Sequence, residues 1–183
     1  MQRRYVLAIG LAVIIVAAAI AVLVLTGTPT AALVIEPASV GKLAINQTFT
    51  VNVTVENCVD IYAVQVDIRY DPQVLNVTSV SEGTFLNSTG TTSVLYAQSF
   101  PVTNSTPPRA SAYFVDTKFG TELPDSSGNG ILFTITFRVI ADGSSQLQFY
   151  PYKAGSGSSD GTYFLKRDNT EVMPALHSGS YGP

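Results

Sequence analysis

Few side chains in this sequence could carry out a reaction. It has one histidine, His177, and one cysteine, Cys58. A nucleophilic triad needs a base beside its nucleophile, and a zinc site needs several Cys or His ligands, so neither can be assembled in the usual way. His177 stands among Ser178, Gly179 and Ser180 and reads as a solvated tail residue. Cys58 has no disulfide partner within the chain and reads as a buried, inert thiol. Paired carboxylates could do glycoside chemistry, but the 13 acidic residues scatter over turns and outward strand positions, with no two paired by the pattern. The sequence therefore assigns no catalytic residue, no metal ligand and no cofactor, and the chain reads as a binding protein, not an enzyme.

Asp125-x-Ser127-x-Asn129-Gly130 matches the first half of a calcium-binding EF-hand loop. The twelfth position of that loop must be a bidentate glutamate, and here it is Thr136. The residues after Gly130 alternate like a core strand, which rejects the EF-hand and leaves at most a looser surface ion site. Tyr150 and Tyr152 fall on one side of a short strand interrupted by Pro151, which marks that strand as an edge and makes the two rings candidates for glycan stacking. The chain has no tryptophan, and most of its nine tyrosines and nine phenylalanines fall on inward positions, where core packing explains them.

The strongest recognition candidate is a row on one strand. From Tyr62 to Tyr70 apolar residues (Tyr62, Val64, Val66, Ile68, Tyr70) alternate with Ala63, Gln65, Asp67 and Arg69. A period of two gives one buried and one wet face, so Ala63, Gln65, Asp67 and Arg69 form a rigid outward platform suited to a partner protein.

Other strands must hold that row in place. Ala32 to Ile35 is a brief apolar strand, and Val40-Gly41-Lys42 reads as a connection. Thr48 to Val55 alternates with Phe49, Val51, Val53 and Val55 on one face, and Glu56 to Asp60 reads as a turn. Asp71-Pro72 ends the platform strand, and Val74 to Val80 comes after it. Ser93 to Phe100 and Ala110 to Val115 are further strands, separated by Gly-, Pro- and Asn-rich loops. Ile131, Phe133, Ile135, Phe137 and Val139 point inward on the next strand, with Leu132, Thr134, Thr136 and Arg138 outward. Leu147 to Tyr152, Thr162 to Arg167 and Glu171 to Leu176 complete a set of nine or ten. Beyond residue 25 no segment keeps a helical period, so the fold class is all-β, a two-sheet antiparallel sandwich.

Two patches carry a resemblance. Tyr70-Asp71-Pro72-x-Val74-Leu75, then Val77-x-x-Val80, then Glu82-Gly83-x-x-Leu86 is one, and Gly130-Ile-Leu-Phe-Thr-Ile-Thr-Phe-Arg-Val139 is the other. Together they resemble the cohesin domain, the receptor module of cellulosomes and of related archaeal and bacterial surface proteins. The resemblance covers about residues 32 to 178 and implies a nine-stranded jelly roll. It also implies that the platform strand belongs to the face that receives a dockerin. This chain has Ala63 and Gln65 where bacterial members often carry Asn and Asp.

The N-terminus reads as an export signal. Tyr5 to Leu25 holds no charge over 21 residues, roughly 31 Å as a helix and close to the hydrocarbon thickness of a bilayer. Arg3 and Arg4 precede it and place the rest of the chain outside. A retained transmembrane anchor and a signal peptide cleaved near Thr28 to Ala32 both fit. The organisation expected is residues 1–27 as anchor or signal peptide, 28–31 as linker, 32–178 as the sandwich and 179–183 as a tail. Of the 10 basic residues Arg3 and Arg4 lie in the leader, so 8 face 13 acidic ones outside it, a net charge of −5, which argues against nucleic acid. Asn46, Asn52, Asn76, Asn87 and Asn104 head N-x-[ST] sequons, as expected of an extracellular glycoprotein.

The sequence thus points to a non-catalytic, extracellular cohesin-like module at the membrane surface, or secreted if the leader is cleaved. Its partner would be a dockerin-like or other surface protein, or a surface polysaccharide. Two other readings are a glycosylated surface filament or coat subunit, with Ala32 to Ile35 donated to a neighbour's sheet, and a carbohydrate-binding module using Tyr150 and Tyr152.

Overall fold

The computed structural model of the protein describes residues 30–182 apart from 104, 121–123 and 154–159. Tyr5 to Leu25 and the sequon at Asn104 lie outside the described residues. Among the described residues no helix is long and apolar enough to cross a membrane.

The described residues form strands and one short 3₁₀ turn at Asn87–Thr89. The strands are β1 Ala32–Glu36, β2 Ser39–Val40, β3 Thr48–Ile61, β4 Ala63–Tyr70, β5 Leu75–Glu82, β6 Thr92–Val102, β7 Arg109–Lys118, β8 Ser126–Val139, β9 Ser145–Phe149, β10 Tyr163–Leu165, β11 Glu171–Val172, β12 Ala175–His177 and β13 Gly179–Tyr181. They make two sheets. The smaller runs β12-β1-β3-β8-β5, and the larger runs β11-β10-β4-β9-β13-β2, with β7 also on β4 and β6 on β7. Both sheets are mixed, not purely antiparallel, because β1 pairs parallel with β12 and β13 parallel with β2.

The alternations in β3, β4 and β8 bury their apolar rows in one shared core, Val51, Val53 and Val55 facing Val64, Val66 and Ile68. Phe114 of β7 stacks on Phe133 of β8 at 4.4 Å between ring centres, and Tyr70 meets Phe137 edge-on at 5.4 Å. Full burial of such side chains contributes about 1.5–3 kcal/mol each, and these contacts hold the two sheets together.

Several expected elements change. Leu132, expected outward, is buried, because β8 bulges where Val53 pairs with Phe133 and Thr54 with Ile131, leaving Leu132 unpaired and turned into the core. Glu56 to Asp60 is not a turn out of the sheet: β3 continues to Ile61 through two irregularities, with Asn57 and Asp60 at positive φ. Two side chains of the calcium-loop match serve that stretch and the third is held by an arginine. Asn129 Oδ1 accepts from the Asn57 amide at 2.8 Å, Ser127 Oγ from the Asp60 amide at 2.9 Å, and Asp125 pairs with Arg167 at 2.8 Å.

Residues 179–181, expected in a tail, form β13 between β9 and β2. Tyr181 is buried, stacks on Phe49 at 5.1 Å, and donates its hydroxyl to the Leu43 carbonyl at 3.2 Å. Gly179 packs closely there, since a Cβ would sit 3.0 Å from Ile35 Cγ2 and 3.1 Å from the Ala38 carbonyl oxygen. His177 is likewise on a strand, β12, exposed and opposite Val34. Short Gly- and Ser-rich strands carry too little hydrophobic pattern to be read from sequence. β1 pairs with β3 and β12 of its own chain, so the strand expected to be donated to a neighbour fills its own sheet.

Candidate functional site

β4 lies in the larger sheet with β7 along one side over its whole length, from Ala63 opposite Thr117 to Tyr70 opposite Ala110. Its other side has two neighbours in succession. β10 pairs with Ala63 to Gln65, and β9 pairs with Ile68 and Arg69. Between these pairings the chain leaves β9 at Tyr150 and returns at Thr162. The Tyr150 amide donates to the Asp67 carbonyl at 2.8 Å, and Thr162 Oγ1 accepts from the Asp67 amide at 3.1 Å.

This detour changes the expected platform. Asp67 points outward in the alternation yet is only 2% exposed. Its carboxylate accepts from Arg69 Nε at 3.0 and 3.2 Å, from Arg69 Nη2 at 2.8 Å, and from the Ser111 hydroxyl. The guanidinium lies over the Tyr150 ring, 4.0 Å from its centre. Gln65 donates to the Gly161 carbonyl at 2.9 Å. Three of the four residues read as a docking row are thus tied to their surroundings, and Ala63 alone is a bare part of the platform. A buried, bidentate Asp-Arg pair with its other lone pairs satisfied fixes geometry more than it attracts a ligand.

What the platform offers instead comes from its neighbours. On one flank a groove of about 240 Å³ runs between β4, β7 and β10, lined by Ala63, Gln65, Val115, Thr117, Tyr163 and Leu165, with Leu95 at its rim. On the other flank, a wider groove of about 470 Å³ holds Asp67 and Arg69 beside Tyr96, Phe100 and Tyr113. These three rings pack edge-on or tilted with centres 5.6–6.2 Å apart. Burial, and then the Asp67 charge, push the Tyr113 phenol up to about 12, so it remains a hydrogen-bond donor at neutral pH.

The expectation that most rings point inward holds for the phenylalanines and not for the tyrosines. The phenylalanines do so, except Phe100 and Phe119, but only Tyr70 and Tyr181 are buried among the described tyrosines. The signal was present in β6, where small Ala97 and Ser99 occupy one parity and Tyr96, Gln98 and Phe100 the other. Ser99 faces in, its hydroxyl 2.6 Å from that of Tyr70, so the large residues must face out.

Tyr150 and Tyr152 are not on one strand, since β9 ends at Phe149, and β9 is no edge because it runs between β4 and β13. Tyr150 carries Arg69 on its ring, while Tyr152 packs on Tyr163 at 4.6 Å and donates to Glu171 at 3.2 Å. Among the sequons, Asn46, Asn76 and Asn87 are exposed and Asn52 is half-buried on β3.

The sequence model of the Cohesin domain matches residues 33–163. Among solved structures, a non-cellulosomal cohesin from the archaeon Archaeoglobus fulgidus is similar at 19% identity, with 84% of this chain and 90% of that one covered and a TM-score of 0.53. The third cohesin of ScaC from Acetivibrio cellulolyticus, solved in complex with the ScaB dockerin, is similar at 19% identity, covering 84% and 98%, with a TM-score of 0.58. The OlpA cohesin from Clostridium thermocellum, also solved in a cohesin-dockerin complex, gives 18%, 84%, 99% and 0.56 in the same order. No curated protein matches the chain.

Proposed function

The chain belongs to the cohesin domain family, and from that premise we propose that it is a non-catalytic binding module that receives a dockerin-like protein partner on the outward face of its larger sheet. The observation that carries this reading is the apolar groove between Ala63, Val115 and Leu165, set next to the half-exposed rings of Tyr96, Phe100 and Tyr113. Aromatic and Arg side chains on a rigid, pre-formed surface are the residue types that dominate protein interfaces. The Asp67-Arg69 pair and the Gln65 bond to Gly161 lock the floor, so little ordering is lost on binding. Solved relatives in complex with dockerins support the class of partner.

The module acts outside the cell, held at the membrane by Tyr5 to Leu25 with Arg3 and Arg4 on the cytoplasmic side. This rests on the uncharged length of that segment and on the sequons.

The test uses the full chain as bait against proteins and free glycans of its host's secretome. Ala63→Arg, which fills the groove from its floor, should cut retention of the protein partner by about tenfold or more with thermal unfolding unchanged. Retention of glycans alone, or protein retention indifferent to Ala63→Arg, overturns the reading.

A further inference from the structure

The larger sheet ends, beyond β7, on β6, which lies beside β5 of the other sheet, with Thr92 donating to Glu82, but whose far side pairs in a ladder with no strand among the described residues. Three other sheet ends are very short: β2 and β11 have two residues each and β12 has three. The fourth, β5, ends on Glu82. β6 is different. It has 11 residues, Thr92 to Val102, with no charge among them, and it exposes Leu95 at 62%, Tyr96 at 37% and Phe100 at 38%. An edge of this kind is a template for another strand unless a charge, a bulge or a proline blunts it. Two such devices are present, a bulge between Val94 and Tyr96 and the donor-less Pro101, and they leave Tyr96 to Phe100 open between them.

We infer that Tyr96–Phe100 is a self-pairing edge, at which β6 of one copy adds antiparallel to β6 of a second copy about a two-fold axis through Gln98, merging their larger sheets. The register comes from the side chains. Tyr96, Gln98 and Phe100 share the outward parity, and Ala97 and Ser99 the inward one. A two-fold at Gln98 sets Tyr96 opposite the second copy's Phe100, Gln98 opposite itself, and Ala97 opposite Ser99, so ring meets ring, amide meets amide and small meets small. A slip by one residue would put outward positions against inward ones and is excluded by the sandwich beneath. Facing aromatic pairs are among the stabilising cross-strand contacts, and here they extend the Tyr96, Phe100 and Tyr113 cluster across the axis. No charge on the strand opposes the approach. Because the contact is isologous it closes at a dimer, not a fibre.

The inference does not rest on the dockerin-like reading, although Tyr96 and Phe100 belong to both the edge and the face. It is tested by disulfide trapping in the full chain, purified in detergent. Gln98→Cys places the new thiols opposite each other on exposed strand positions, while the native Cys58 is buried. Mild oxidation should link the Gln98→Cys chain into dimers, and Gln146→Cys, an exposed position on β9 away from the edge, should not. Adding Tyr96→Lys to the Gln98→Cys chain should lower the dimer yield by about tenfold by putting a charge into the pairing. Equal yields from Gln98→Cys and Gln146→Cys, or a yield indifferent to Tyr96→Lys, overturn the inference. A chain that dimerises but retains no protein partner upholds the edge and rejects the face, and the converse result does the opposite.

Discussion

Two carboxylates are buried in the same β4–β7 ladder, on opposite faces, and the protein treats them in opposite ways. Asp67 lies on the outward face and has a complete set of partners in Arg69 and Ser111. Asp116, opposite Val64 on the inward face, is 0% exposed, and neither of its oxygens has a hydrogen-bond partner among the described residues. Burial first, and then the Glu82 carboxylate, push its carboxyl from an ordinary 3.8 up to about 7, with the Thr117 backbone and the Lys118 charge pulling the other way. Lys118 is buried as well, but its ammonium donates to the Leu86 carbonyl at 2.8 Å and to the Thr89 hydroxyl, so it is directed elsewhere. Burial alone therefore says little about stability. What decides is whether the charged form finds partners once water has gone.

The comparison breaks first at Arg69. Arg69→Met leaves a buried Asp67 without its guanidinium and should lower stability by about 3–5 kcal/mol at neutral pH, read from urea unfolding. The double variant Asp67→Leu/Arg69→Met should recover much of that loss, because no uncompensated charge remains. A single variant within about 1 kcal/mol of the parent would mean that Ser111 and solvent suffice for Asp67.

Asp116 should respond with the opposite sign. Its folded-state value lies above the unfolded one, so the folded protein holds a proton that the unfolded chain releases. Stability from this group is full below about pH 4, falls as the pH rises, and is lost once the pH passes about 7. Asp116→Asn cannot ionise. It should unfold at higher urea than the parent at pH 8, by a few kcal/mol at about 1.4 kcal/mol per pH unit of slope removed, and lose its advantage near pH 4. An unchanged slope of stability against pH between 4 and 7 would show that Asp116 does not titrate across that range.

How far this contrast was legible in the sequence depends on what signals each group. The apolar rows of β3, β4 and β8 keep a period of two, which is why the sandwich and the orientation of Asp67 could be read directly. The burial of Asp67 could not, because it comes from Tyr150 and Thr162, more than 80 residues away and in a stretch with no period. The groove and the aromatic cluster depend on the parity of β6, where the alternation of small and large residues is visible in the sequence but only the contact of Ser99 with Tyr70 says which side is inward. Bulges defeat the pattern in the same way: the unpaired residue at Leu132 reverses the parity that Ile131 and Phe133 imply. The irregular connection and the last strand, β13, are held by side-chain-to-backbone bonds and by close packing at Gly179, and neither leaves a mark in hydropathy.

Cys58 completes the comparison as a group that is polar, buried and neutral. It is enclosed in the core, and burial pushes its thiol up to about 12, so at physiological pH no charge needs a partner. The linkage has the same sign as for Asp116 but begins only above the ordinary thiol value near 9, outside the range in which Asp116 titrates. Cys58→Ala should therefore cost about 1 kcal/mol for the lost sulfur contacts, and by the same amount at pH 5 and at pH 8. A thiol reagent should modify Cys58 only at the rate of unfolding, since the reactive thiolate is all but absent in the folded chain. Asp116→Asn, by raising stability at pH 8 and not at pH 4, should slow that modification at the higher pH alone. Modification that outpaces unfolding would show that this end of the sandwich opens locally, and the orphaned carboxylate at Asp116 would then be the first place to look for the cause.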